Sequence, residues 1–136
     1  MLRVVVDPNV LVPASIAGGN PFRVVELATG GLIGLVASPR LLAELRGVLA
    51  RDKFLRWRTR DELNRFVADI EVLVETAPDP VVVPAVCRDP NDDYLVALAV
   101  GAGADVLCSG DRDLRDVAGV VVRTPAELVR AVLEQQ

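Results

Sequence analysis

The chain opens Met1-Leu2-Arg3-Val4-Val5-Val6-Asp7-Pro8-Asn9, and the run from Leu2 to Asp7 decides the fold. Leu2–Val6 is short, β-branched and apolar but for Arg3, as expected of a strand buried on both faces. Such strands occur in parallel sheets covered by helices on either side. Asp7 then closes the run. A carboxylate at the end of a buried strand is costly unless something there uses its charge.

The rest of the chain repeats this grammar. Pro8, Pro13 and Gly18-Gly19-Asn20-Pro21 read as punctuation, followed by a helix from about Pro21 to Ala28 that stops at Gly30-Gly31. Leu32–Ala37 is a second strand. Ser38-Pro39 is an N-cap with proline at the first helical position, opening a helix to about Arg51 with Leu41, Leu42, Leu45, Val48 and Leu49 on its apolar face. Leu63, Phe66, Val67, Ile70 and Leu73 predict a helix over about 59–74, and Pro78 and Pro80 follow it. Val81–Val83 reads as a short third strand. Asp89-Pro90 starts a helix ending near Gly101 or Gly103. Asp105–Cys108 and Gly119–Arg123 are the last strands, and Thr124-Pro125-Ala126-Glu127 is a capping box that opens the final helix. Strands alternating with helices specify an α/β domain with a central, mostly parallel five-stranded sheet, occupying residues 1–136 as one unit.

Composition narrows the function. No apolar stretch is long enough to span a bilayer. Arg3 and Asp7 interrupt the first apolar run, against a secretory leader, so a cytoplasmic location is expected. Cys87 and Cys108 lie in or beside apolar segments and read as reduced, buried thiols. The 136 residues include no histidine, which removes the commonest general base and transition-metal ligand. What remains is oxygen-ligand chemistry, for which Mg²⁺ or Mn²⁺ is the usual cation. The net charge of −4 argues by itself against a nucleic-acid partner. It hides a basic segment, Arg51, Lys53, Arg56, Arg58, Arg60 and Arg65, interleaved with Phe54 and Trp57. Alone, that segment reads as a solvated connection; beside a phosphate-processing site it becomes a backbone-binding patch.

In open α/β sheets the site lies beyond the carboxyl ends of the strands, near a switch in strand order. Asp7 and Asp111 follow strands, and Glu44 and Asp93 lie early in helices that follow strands, so four acids converge on one rim. Asp7-Pro8-Asn9 also suits a turn in which Asp7 caps local amides. Glu44 borders the apolar face of its helix. Asp89 is placed as an N-cap, and Asp92 as a first-turn acid. Asp93 adjoins Tyr94-Leu95-Val96-Ala97-Leu98-Ala99, apolar nearly all round, and is the better ligand of the group. In Gly110-Asp111-Arg112-Asp113 either acid suits the rim.

Four stretches together carry a family resemblance: Val4–Val12, Ser38–Leu45, Asp89-Pro90-Asn91-Asp92-Asp93-Tyr94-Leu95, and Ala104–Leu114 with its Ser109-Gly110-Asp111-Arg112-Asp113. In this order and spacing they resemble the PIN-domain family of metal-dependent nucleases, and most of all its toxin components of bacterial toxin–antitoxin pairs. The likeness spans nearly the whole chain. It implies a three-layer α/β/α sandwich and an acidic metal centre. Asp7, Glu44, Asp93 and Asp111 match the family's acids, with Asp113 a further metal ligand and Asn9 and Ser109 in support. Pro8 stands where Ser or Thr is frequent, and Ser109 where Thr is frequent; neither change removes a carboxylate.

The implied activity is Mg²⁺- or Mn²⁺-dependent endonucleolytic hydrolysis of RNA, with Asp7, Asp93, Asp111 and Asp113 at the metal and Arg51, Lys53, Arg56, Arg58 and Arg60 on the RNA. A cognate antitoxin and a homodimer are the implied protein partners. Two other readings compete. A haloacid-dehalogenase-like phosphatase also has an aspartate after its first strand, but needs a second one where Asn9 stands and a lysine at the site, and the only lysine is Lys53. A non-catalytic partner-binding module with a residual acidic site is the other.

Overall fold

Five parallel strands form one sheet in the order β3-β2-β1-β4-β5. In chain order the elements of the computed structural model, which describes residues 1–116 and 119–136, are β1 (Leu2–Val6), α1 (Pro8–Ile16), α2 (Asn20–Thr29), β2 (Ile33–Ala37), α3 (Pro39–Leu49), α4 (Arg60–Leu73), β3 (Val74–Thr76), α5 (Pro90–Gly101), β4 (Val106–Cys108), β5 (Val121–Arg123) and α6 (Pro125–Glu134). Short 3-10 segments lie at Asp52–Arg56 and Arg112–Asp116. β1 is central, pairing Val4 and Val5 with Leu35 and Val36 on one side and with Val106 and Leu107 on the other. That position explains its apolar run: Val4 and Val5 are fully buried.

The chain builds outward from β1 through β2 to β3, then returns through α5 to β4 on the other side. Right-handed crossovers in opposite directions put their helices on opposite faces, giving three layers. α5 packs on β1 and β4, while α1 packs on α2 and α3, and α2 also meets α6. The reversal of strand order falls between β1 and β4, so their carboxyl ends open the crevice where such folds hold their ligands. Among the described residues, no helix is long and apolar enough to cross a membrane.

Two local expectations need correction. Residues 8–16, read as punctuation, form α1, with Asp7 as its N-cap, Pro8 at its first turn and Pro13 inside it. Proline lacks the amide that a helix interior uses. Burial of Val10, Leu11 and Ala14 against the core outweighs that loss. The third strand is Val74–Thr76, not Val81–Val83. α4 passes into β3 without a loop, so the helical spacing that ends at Leu73 continued by accident onto Val74. Val81 is 99% exposed, and Pro80 and Pro84 flank the 81–83 run without donors to join a sheet. The expected caps are in place: Ser38 Oγ accepts from the Leu41 amide at 3.2 Å, and Thr124 and Glu127 form the capping box.

Candidate functional site

Asp7 sits where β1 becomes α1, and the fold ties it down at three points. Its amide donates to the Cys108 carbonyl at 2.9 Å, continuing the β1–β4 pairing by one residue. One carboxylate oxygen accepts from the Asn9 amide and the other from the Ser109 hydroxyl, each at 2.9 Å. Ser109 follows β4, is buried, and accepts from the Asp111 amide at 3.1 Å. A single hydroxyl thus links the first acid to the turn that carries Asp111. Burial pushes the Asp7 carboxyl above its usual range; the Asn9 and Ser109 hydrogen bonds oppose this, and the charge of Asp111 adds to it.

Asp92 supplies the third carboxyl. It lies in the first turn of α5, half-buried and facing Asp111. Its pKa is pushed up to about 6, first by burial, then by the contact with Asp111 and the charges of Asp111, Asp89 and Asp7. Asp93, expected as the ligand, does other work. Its Oδ1 accepts from the amides of Val86 at 2.9 Å and Cys87 at 2.6 Å, so it holds the loop that enters α5. Burial would raise its pKa, but these two amides outweigh it and hold the carboxyl below its usual range. Neighbouring helix positions point about 100° apart, and it is the Asp92 carboxyl that meets Asp111 while Asp93 Oδ1 is taken up by the two amides. Burial of the adjoining helix singled out Asp93 and missed the reason for it. The informative signal was the three-residue spacing from the N-cap Asp89, which puts Asp92 above it on one face.

The remaining expected residues divide. Asp113 is exposed, and its amide donates to the Asp111 carboxylate at 2.9 Å; the turn thereby places Asp111, rather than Asp113, toward Asp92. Glu44 is exposed on α3 and lines a cleft of about 420 Å³ with Pro8 and Asn9, the two residues after Asp7, and with Arg51 and Lys53. Of the basic segment, Arg60 is engaged with Asp52 at 3.3 Å and with the Leu49 carbonyl at 3.1 Å, and Arg58 with the Trp57 carbonyl at 3.0 Å. Arg56 lies over the Trp57 ring.

A polar hub not foreseen from the sequence joins buried Ser38 and Tyr94 to exposed Asp79 and Arg40. The Tyr94 hydroxyl bonds Ser38 Oγ and donates to Asp79 at 2.5 Å, and Arg40 stacks 4.1 Å from the ring centroid. It fastens the segment after β3 to the first turns of α3 and α5. Cys87 and Cys108 are both free; Cys108 is buried as expected, whereas Cys87 is only half-buried, and desolvation first of all pushes their thiols up to about 11 for Cys87 and about 12 for Cys108.

The donor set fits a hard divalent cation. Asp7, Asp92 and Asp111 offer only oxygen, and their mutual repulsion is what a cation relieves. Among the described residues, no three His, Cys, Asp or Glu side chains stand close enough together, as placed, to hold a metal ion. The three acids share an open rim.

A family model described as the PIN domain matches residues 3–113. The chain belongs to the PIN-domain family. The match takes in Asp7, Glu44, Asp92 and Asp111 together. Among solved structures, the chain is similar to a crystal structure of VapBC2 from Rickettsia felis bound to a DNA fragment from their promoter. There the TM-score is 0.63 and the identity 12%, over 90% of this chain and 98% of that one. It is also similar to PAE2754 from Pyrobaculum aerophilum, with TM-score 0.65 and 16% identity, over 98% of this chain and 91% of that one. At such identities the likeness is one of fold, and it agrees with the three-layer architecture of this PIN domain. No functionally curated protein matches the sequence.

Proposed function

We propose that this PIN domain is a Mg²⁺- or Mn²⁺-dependent endoribonuclease and the toxin of a toxin–antitoxin pair. The observation that carries the reading is the meeting of Asp7, Asp92 and Asp111 at the β1–β4 switch point, where burial first and then the contact with Asp111 lift Asp92 to about 6. Asp7, Asp92 and Asp111 would hold the cation, with Glu44 and Asp113 completing or orienting its surroundings. A bound divalent ion supplies an activated water and neutralises charge developing on phosphorus. The chain's own contribution is positional. Ser109 and the Asn9 amide fix the Asp7 carboxylate, and Asp93 and Tyr94 fix the start of α5 so that Asp92 faces Asp111. The toxin assignment draws on the fold likeness to VapBC2, and with it comes a cognate antitoxin as protein partner.

The phosphatase reading is weaker. Lys53 does reach the cleft beside Asn9, but no second aspartate stands two residues after Asp7. The test is cleavage of labelled single-stranded RNA with Mg²⁺, Mn²⁺ or EDTA. Metal-dependent cleavage lost in Asp7→Asn and Asp92→Asn, and retained in part by Asp93→Asn, is expected. A folded protein that cleaves nothing and shows no metal-linked thermal shift would refute the proposal.

A further inference from the structure

We infer that the cleft beside Asp7 and the ring of Trp57 form a track that leads single-stranded RNA away from the acids, with Arg51 and Lys53 on its phosphates and Trp57 under an unpaired base. The inference rests on the ribonuclease reading and adds the path of the strand. Asp7, the cleft and Trp57 are linked through shared neighbours. The Asp7 carboxylate is 2.9 Å from the Asn9 amide, and Asn9 lines the cleft of about 420 Å³. That volume lies within the roughly 300–1,000 Å³ of small-molecule sites. Arg51, Lys53 and Phe54 form another part of the lining. Phe54 itself is buried, but its ring centroid is 6.5 Å from that of Trp57, which is 49% exposed.

The chemistry suits an anionic strand with free bases. Unlike Arg60, neither Arg51 nor Lys53 takes part in an ion pair among the described residues. They counter the negative charge that Glu44 brings to the same cleft. Arg56 sits 5.3 Å from the Trp57 ring centroid and adds a third cation beside the exposed ring. A duplex keeps its bases stacked on one another and offers Trp57 nothing; an unpaired strand does.

Trp57 is the only tryptophan, so its fluorescence reports on the track directly. The experiment titrates metal-free Asp7→Asn protein with single-stranded RNA, and with a duplex of the same sequence, at several salt concentrations. Cleavage by the wild-type protein with Mn²⁺ runs in parallel. Quenching by the single strand and not by the duplex is expected. Arg51→Ala and Lys53→Ala should each weaken binding and flatten the salt slope by about 0.7. Trp57→Leu, read by anisotropy of labelled RNA, should bind about 5- to 100-fold more weakly. Wild-type cleavage without quenching, or affinity indifferent to Arg51 and Lys53, would overturn the track and leave the ribonuclease reading standing. Equal quenching by the duplex would overturn it as well. Loss of both cleavage and binding would overturn the ribonuclease reading itself.

Discussion

Replacing Asp92 by asparagine should stabilise the protein at neutral pH. A raised carboxyl pKa means that the folded state resists ionisation there. The stability available with Asp92 protonated is complete below the ordinary value of 3.8 and is lost as pH rises through about 6. That interval, roughly two units, corresponds to about 3 kcal/mol at 1.36 kcal/mol per unit, and solvent screening of a half-buried group reduces it to about 1–2 kcal/mol. In a domain of this size each 1 kcal/mol moves the melting temperature by about 3–6 °C. Thermal melts in EDTA from pH 4 to 8 should therefore show Asp92→Asn melting several degrees above wild type at pH 7, the gap closing toward pH 4. Mn²⁺ should raise the wild type more than the variant. Asp93→Asn should behave oppositely. Its depressed pKa contributes stability above the ordinary value, lost as pH falls through the folded one, so the variant should melt below wild type at pH 7. An Asp92→Asn protein less stable than wild type at pH 7, or a gap independent of pH, would refute the crowding of the three acids.

Three further outcomes are expected. Ser109→Ala deprives the Asp7 carboxylate of its donor and the Asp111 amide of its acceptor, so it should cost about 1–3 kcal/mol by urea denaturation and depress cleavage, while Ser109→Thr should retain most of both. Leu107→Ala removes a fully buried side chain from β4 and should cost about 2–5 kcal/mol, read as a fall in the denaturant midpoint. With thiols held at about 11 and about 12, neither Cys87 nor Cys108 should react with iodoacetamide at pH 7.5 in the native state, and labelling of Cys108 by mass spectrometry should track unfolding.

What the sequence discloses depends on how local the signal is. β1, β2, α3 and α6 announce themselves through apolar periodicity and caps that lie within a few residues. α1 is hidden because Pro13 is a breaker by local rules, and only packing against the rest of the core overrules it. β3 is hidden because Val74 satisfies two periods at once, and its pairing with Leu35 is a contact the local pattern does not carry. The site divides the same way. Asp7 and Asp111 are legible because they follow strands, and topology alone puts them on one edge. The choice between Asp92 and Asp93 turns on the amides of Val86 and Cys87, whose positions follow from the folded path of the loop. The Tyr94 hub is distant in sequence for the same reason, joining Ser38 to a residue 56 positions away.

The Ser109–Asp7 bond spans 102 residues of chain. During synthesis Asp7 is made about a hundred residues before Ser109 and the Asp111 turn, which follow only after α5 has carried the chain back across the sheet. Until then Asp7 stands without Asp92 and Asp111. The three acids meet in one late step, when the returning strand docks beside the first one.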